Sequence, residues 1–137
     1  MPSRRKQTKK TVRARAWRLC SEYIRRKHAD EHGMVQCTTC AVKRHWRDMH
    51  AGHFIPKTFD ALYFIEENLW PQCPGCNTFR HGALMEYTLH MIDTYGREGV
   101  EWLQGLARNS KALTVNELLE IEEEFKEKVH ALGERAF

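Results

Sequence analysis

Two Cys-x-x-Cys pairs constrain the fold of this chain more than any other feature of its sequence. The first pair is Cys37 and Cys40, and the second is Cys73 and Cys76. Each pair forms a tight knuckle that aims two sulfurs at one point, and four thiolates in tetrahedral geometry make a closed zinc site. Because a closed site leaves no position for water, we expect a structural zinc whose binding stabilises the fold. Redox-active or incidental cysteines are the alternative interpretation.

The length and composition narrow the class of protein. A chain of 137 residues suits one domain with a core large enough to fold without added cross-links. No apolar run of about 18 residues occurs, which argues against a membrane span, and the basic N-terminus lacks the apolar stretch of a signal peptide. We therefore expect a cytoplasmic protein, in the cytoplasm of the host cell if a phage encodes it. In that reducing compartment, five cysteines favour metal binding over disulfides.

The charge is distributed unevenly along the chain. Residues 1–28 carry 11 Lys or Arg and one acid, a balance of +10, whereas residues 29–137 have a balance of −6. This asymmetry predicts a flexible basic arm at 1–11 and a basic helix at 12–33 that contact DNA phosphates. A solvated tail without a partner is the alternative. The predicted contacts are Arg4, Arg5, Lys6, Lys9, Lys10, Arg13, Arg15, Arg18, Arg25, Arg26, Lys27 and Arg80.

The remainder of the chain predicts an α+β domain over 12–137. Residues 34–83 are short, turn-rich segments that hold both cysteine pairs, and residues 84–137 read as C-terminal helices. Helical spacing extends from Asn77 to Tyr95 and ends at Gly96, and a capping box at Thr114–Glu117 opens the last helix.

A second group of polar residues lies between and after the cysteine pairs. His53 is in an extended segment, Asn68 precedes a strand, and Asn77 and His81 are one helical turn apart. Positions i and i+4 share a helix face, so one amide oxygen and one imidazole can meet one cation. Each residue also has a plain structural interpretation, as a turn, helix-start or surface residue.

These residues resemble the HNH (ββα-metal) nuclease superfamily, and most closely the phage NinG/Rap recombination endonucleases. The resemblance covers about residues 12–130 and rests on both cysteine pairs, Ala51-Gly52-His53-Phe54, Glu67-Asn68 and His81-Gly82. The chain also resembles phage endonuclease VII, as a more distant relative that shares the Cys-x-x-Cys-Asn element. The resemblance implies a ββα-metal core with a four-cysteine zinc site, flanked by helices. It also implies metal-dependent cleavage of branched recombination DNA, such as Holliday junctions or D-loops.

The same resemblance suggests a role for each site residue. His53 is the expected general base, and Asn68 is expected to hold the loop that orients it. Asn77 and His81 are expected to bind a catalytic Mg²⁺ or Mn²⁺. Many HNH nucleases have a metal-binding acid or His directly before the base, but this chain has Gly52 there. His50 and Asp48 are the nearby candidates for a third ligand.

Two other functions and two assembly states are compatible with the sequence. One alternative is a non-catalytic zinc module that binds nucleic acid, and the other is an HNH nuclease of restriction or homing type that cuts duplex DNA. Symmetrical cutting of a four-way junction needs two active sites, so a homodimer is a hypothesis. Packing within one chain is the alternative role for the apolar residues Trp102, Leu103, Leu106, Leu118 and Phe125.

Overall fold

A computed structural model describes residues 7–133 of the chain. Two long helices from opposite ends of this part pack against each other. Helix α1 (Lys9–Lys27) buries a stripe of residues at a spacing of four, which includes Val12 and Ile24. Helix α4 (Val115–Leu132) covers that stripe with Leu118 and Phe125. The predicted helix at 12–33 is confirmed in type but begins earlier and ends sooner, because Thr8 caps its start and a strand follows.

The two helices run in the same direction. Near their starts, Arg15 pairs with Glu122 at 2.6 Å, and near their ends a side-chain nitrogen of Arg26 donates to the carbonyl of Gly133 at 2.6 Å. A parallel pair of helices needs a long connection between them, and residues 28–114 supply it. The candidate site is built within that connection.

Two antiparallel hairpins form the small β component. Strands β1 (Met34–Gln36) and β2 (Lys43–His45) pair with Val35 opposite Arg44. Strands β3 (His50–His53) and β4 (Leu69–Gln72) pair with Gly52 opposite Trp70. Short helices and turns join these strands: a 3₁₀ turn at Trp46–Asp48, α2 at Asp60–Tyr63, a 3₁₀ turn at Glu66–Asn68 and a π-helical turn at Gly75–Phe79.

Helix α3 (Leu84–Arg108) follows the second cysteine pair and packs on α2. The predicted break at Gly96 is confirmed: this residue has φ +71° and interrupts the helical backbone. The predicted capping box is also confirmed, because Thr114 accepts from the backbone N–H of Glu117 and the Glu117 carboxylate accepts from the N–H of Thr114. The mixed α+β class is therefore confirmed.

The apolar C-terminal residues pack within the chain. Leu103 is buried with Leu62 and Tyr87, and Leu118 and Phe125 are buried against α1, whereas Trp102 is half exposed. These buried residues are therefore not accessible to a second copy, and the homodimer stays a prediction. No helix in residues 7–133 combines the length and the apolar character needed to cross a bilayer.

Candidate functional site

The four cysteines of the two pairs converge on one point. All four Sγ atoms lie within 4.8 Å of one another, and those of Cys40 and Cys73 are 3.7 Å apart. Zinc–sulfur bonds of about 2.3 Å in a tetrahedron place the sulfurs roughly 3.8 Å apart. None of these cysteines is in a disulfide. The predicted cluster is therefore confirmed, and its dimensions and its sulfur donors fit a metal such as zinc.

Hydrogen bonds to Cys37 favour its thiolate, which is the form that binds a metal. The backbone N–H of Cys73 donates to Sγ of Cys37 at 3.2 Å, and Oγ1 of Thr39 lies 3.5 Å from the same sulfur. Burial raises the pKa of Cys37, but these hydrogen bonds outweigh it and hold the pKa below its ordinary value. At Cys37 the knuckle geometry thus supports the charge state that a metal site requires, whereas burial raises the pKa of Cys76.

A cavity of about 860 Å³ is lined by four of the six residues predicted for catalysis and the catalytic ion, His50, His53, Asn77 and His81. Helix α1, strand β3 and the turn after Cys76 form its walls. Within residues 7–133, no Asp or Glu lines this cavity. Burial lowers the pKa of Arg25, so its guanidinium benefits from an anionic neighbour. The polar side chains in the lining are those of Ser21, Arg25, His50, His53, Lys57, Tyr63, Asn77, Thr78 and His81.

The imidazole of His53 is held in one orientation in the cavity wall. Its Nε2 lies 2.9 Å from the backbone carbonyl of Tyr63, and its ring stacks on the indole of Trp17 with centroids 4.9 Å apart. A carbonyl can only accept, so Nε2 carries the proton and Nδ1 is the basic nitrogen. Burial lowers the pKa of His53, which keeps the imidazole neutral near pH 7.

The structure brings His50 next to Asn77. Nδ1 of His50 is 2.9 Å from Nδ2 of Asn77, and both side chains line the cavity. Among residues 7–133, β3 pairs with β4 alone, and residues from both faces of β3 line the cavity. Of the two candidates for a third ligand, His50 is therefore in place, whereas Asp48 lies in the exposed 3₁₀ turn outside the cavity lining.

The prediction that Asn77 and His81 share one face of a regular helix is wrong. Residues 75–79 form a π-helical turn, and His81 and Ala83 adopt positive φ angles of 52° and 47°. The cause is local: the second cysteine pair tightens the chain, and the N–H of Gly82 returns to the carbonyl of Cys76 at 2.8 Å. Asn77 and His81 nevertheless line the same cavity, and His81 is exposed there.

Asn68 supports the site from behind. Its side chain is fully buried, and its amide bridges two segments: Nδ2 donates to the carbonyls of Ile55 and Leu62, and Oδ1 accepts from the N–H of Ile55 at 2.8 Å. These bonds fix the loop that leaves His53 and satisfy its buried backbone groups. Asn68 is therefore a positioning residue that does not itself enter the cavity.

Gln72 takes the space that a side chain at position 52 would need. A Cβ atom on Gly52 would lie 1.9 Å from Oε1 of Gln72. The amide is held there because its Nε2 donates to Oγ1 of Thr39, which lies between Cys37 and Cys40, and to the carbonyl of Gly82. No pattern in the sequence indicates this contact or the stacking of Trp17 on His53, because both depend on tertiary packing.

The structure separates the predicted DNA contacts into two groups. Several α1 cations already face acids of the same chain: Arg13 pairs with Asp60 at 2.9 Å and Lys27 with Glu66 at 3.4 Å. Arg80 likewise pairs with Glu86 at 2.6 Å. Lys9, Lys10 and Arg18 are exposed, and Arg25 lines the cavity. Arg4, Arg5 and Lys6 lie outside the described residues.

Comparisons with known proteins identify the family. The family model described as "Bacteriophage Lambda NinG protein" matches residues 3–135. The chain is 27% identical over 120 residues to "Protein ninG" of Escherichia phage lambda, which covers 85% of this chain and 55% of that protein. Proteins of the same name from Escherichia phage 933W and Enterobacteria phage VT2-Sa match at the same identity, with 56% of each covered.

The chain thus spans about half the length of these curated relatives. No solved structure matches it. Because the family model covers nearly the whole sequence, the chain belongs to the NinG family of phage proteins.

Proposed function

We propose that this protein is a metal-dependent endonuclease of the HNH type that hydrolyses phosphodiester bonds in branched DNA. The observation that carries the proposal is the state of His53: a neutral imidazole, anchored through Nε2, with its basic nitrogen next to a cavity that has cationic residues and no acid in its described lining. The positive charge of such a cavity attracts the phosphate group of DNA, and no carboxylate in the described lining opposes that attraction.

In this proposal, His53 acts as the general base. Its Nδ1 accepts a proton from the attacking water, while the carbonyl of Tyr63 stabilises the positive charge that develops on the ring. Trp17 holds the plane of the imidazole, and Arg25 faces the phosphate oxygens from α1. Asn68 keeps the loop after His53 in place, so the base does not drift from the scissile phosphate.

A divalent ion has a suitable set of donors across the cavity. His50, Asn77 and His81 would hold it, with phosphate oxygens and waters completing the coordination. When bound, such an ion supplies Lewis-acid neutralisation of the phosphate and of the departing 3′ oxygen. Two imidazoles and one amide oxygen favour Mn²⁺ more than Mg²⁺, which prefers carboxylates.

The decisive experiment compares His53→Ala with the wild type and with His32→Ala, which removes an exposed imidazole outside the cavity lining. Labelled four-way junctions are incubated with zinc-loaded protein and Mg²⁺ or Mn²⁺. We expect His53→Ala to cleave the junction about 10²–10⁴-fold more slowly than the wild type, with unchanged junction binding. Equal rates for all three proteins would exclude His53 as the base, and no cutting by the wild type would reject the enzyme.

The choice of substrate is tested in the same assay. Junction, flap, D-loop, single strand and plain duplex are compared at one salt concentration, because phosphate contacts make affinity strongly salt-dependent. Preference for branched DNA supports a recombination role. Equal or faster cutting of plain duplex supports the alternative, a nuclease of restriction or homing type.

One observation favours a second function, a non-catalytic zinc module that binds nucleic acid. The cysteine cluster is complete, whereas the position before His53 is a glycine whose missing side chain is replaced by the buried amide of Gln72. A protein that binds junctions tightly and cuts none of the substrates with either metal would have this function.

A further inference from the structure

The hairpin that carries the first cysteine pair has two cations that no role described above uses. We define the zinc hairpin as residues 34–45, which comprise β1, β2 and the knuckle between them. Lys43 and Arg44 are exposed on β2, and among residues 7–133 no carboxylate oxygen lies within 4 Å of either. Both are therefore available to bind an anion, although Asp30 lies near enough to Lys43 to interact with its charge.

This availability distinguishes them from four of the eight cations of α1, Arg13, Arg15, Arg26 and Lys27, which pair with carboxylates. Arg13 and Arg15 hold carboxylates at 2.9 and 2.6 Å, and a phosphate would have to displace those partners. An exposed cation without such a partner gives up only water and counterions when it contacts a phosphate. Helix α1 therefore offers fewer free cations for DNA binding than its number of Lys and Arg residues implies.

The zinc hairpin also holds its cations rigidly. Three residue pairs join β1 to β2, and the N–H of Cys37 donates to the carbonyl of Val42 at 2.7 Å. Both cysteines of the knuckle, Cys37 and Cys40, belong to the sulfur cluster. A preorganised surface loses less conformational entropy on binding than two cations on a loose loop would.

The zinc hairpin leads directly into the cavity wall. Trp46 follows β2, and its carbonyl accepts from Nη1 of Arg25, whose guanidinium lies 5.2 Å from the indole ring. Arg25 and His50 both line the cavity. The seven residue steps from Lys43 to His50 span at most about 25 Å, which is the rise of roughly seven base pairs of duplex.

We propose that the zinc hairpin is a second nucleic-acid surface: Lys43 and Arg44 bind backbone phosphates within about seven base pairs of the phosphate that occupies the cavity. The inference rests on the proposed function, because it takes DNA as the occupant of the cavity. It adds to that function a second role for the cysteine cluster, which holds a DNA-binding element as well as the site itself.

The test compares two variants with the same change in net charge. Lys43→Ala/Arg44→Ala removes the hairpin cations, and Arg108→Ala/Lys111→Ala removes two exposed cations outside the hairpin and the cavity. Binding to a labelled four-way junction is measured by fluorescence anisotropy between about 50 and 200 mM salt. The protein is zinc-loaded and no divalent ion is added, so that the junction is not cut.

We expect the hairpin variant to reduce the slope of log K against log salt by about 2, since each phosphate contact contributes about 0.9. The control variant should change the slope by less than half as much. Lys43→Arg/Arg44→Lys should restore the wild-type slope. Equal slopes for the hairpin and control variants would overturn the proposal. If the hairpin variant lacks zinc, Lys43→Gln/Arg44→Gln replaces it in the comparison, with the same criterion.

Failure of this inference is distinguishable from failure of the proposed function. A wild-type protein that binds junctions with a hairpin-dependent slope but never cuts would keep the second surface and reject the nuclease. A protein that cuts junctions with a slope independent of the hairpin would reject the surface alone. A wild type that binds no nucleic acid would reject both.

Discussion

Nδ1 of His50 and Nδ2 of Asn77 lie 2.9 Å apart, although the two residues are 27 positions apart in the chain. One is the first residue of β3 and the other lies in the turn that the second cysteine pair begins. In this contact the amide of Asn77 donates to Nδ1 of His50, so an ion bound here would replace the hydrogen bond and meet the His50 lone pair and the amide oxygen of Asn77, without a carboxylate in the described lining of the cavity. Metal affinity should therefore be sensitive to charge at this point.

Asn77→Asp should bind divalent ions more tightly and should shift the metal preference toward Mg²⁺, because it adds a carboxylate to a set of neutral donors. Binding of Mn²⁺ and Mg²⁺ without DNA is measured by calorimetry, and cleavage is measured against the concentration of each ion. Asn116→Asp, which adds the same charge on the exposed surface of α4, is the control. A matching gain in the control would show that the effect is not local to the cavity.

Gly52→Ala should destabilise the fold by about 1–3 kcal/mol, because its methyl group would overlap the amide of Gln72. Adding Gln72→Ala should recover part of that loss, so the two changes are not additive. Gly105→Ala is the control, because its Cβ would lie 3.8 Å from Nη2 of Arg108, an ordinary contact distance, and alanine favours the helix. Urea unfolding measures the wild type, the Gly52→Ala and Gln72→Ala variants, their combination and the Gly105→Ala control, and strict additivity would contradict the proposed overlap.

Cys73→Ser should remove the bound metal and unfold the middle of the chain. We expect one zinc per wild-type chain by elemental analysis and less than one in the variant, with loss of near-ultraviolet circular dichroism. Cys20→Ala, which changes the buried cysteine outside the cluster, should keep its zinc. A Cys73→Ser protein that is folded, active and free of zinc would contradict a structural role for the metal.

His28 should make the fold sensitive to acid. Burial, together with the charges of Lys27 and His90 and against the opposing charge of Glu66, lowers its pKa to about 4. The ring stacks on Trp70 with centroids 4.5 Å apart. Because the folded state binds fewer protons than the unfolded state, the stability contributed by neutral His28 is complete above about pH 6.5 and is lost progressively as the pH falls toward 4.

Between pH 7.5 and 5.0, the free energy of unfolding should therefore fall by about 2 kcal/mol more in the wild type than in His28→Gln. Protonation of the cysteine cluster affects both proteins and cancels in the difference. His32→Gln, at an exposed position, should follow the wild type. Parallel pH profiles for wild type and His28→Gln would show that His28 does not titrate in this window.

The sequence predicted the features that depend on local chemistry. Cysteine spacing located the sulfur cluster, and the pairing of Thr114 with Glu117 located the start of α4. The apolar spacing of α1 predicted a helix, although its ends differed by several residues because capping and the following strand decide them. Each of these signals spans only a few residues, so tertiary structure does not override it.

The shape of the candidate site depended on contacts between distant segments. Helical spacing after Cys76 did not show that the chain would tighten into a π-helical turn and place His81 at positive φ. It also did not show that Gln72 would fill the space above Gly52, or that acids from other segments would pair with Arg13 and Arg15. Charge composition counts cations but does not reveal which of them the fold already neutralises.

The parallel packing of α1 and α4 has a consequence for synthesis of the chain. The apolar stripe of α1, which includes Val12 and Ile24, is covered by Phe125, about a hundred residues later in translation. At roughly 5–20 residues per second, a ribosome needs roughly 5 to 20 seconds to make that cover. During this interval the apolar stripe of the nascent helix is exposed to solvent. A chaperone that binds this stripe would raise the yield of active protein.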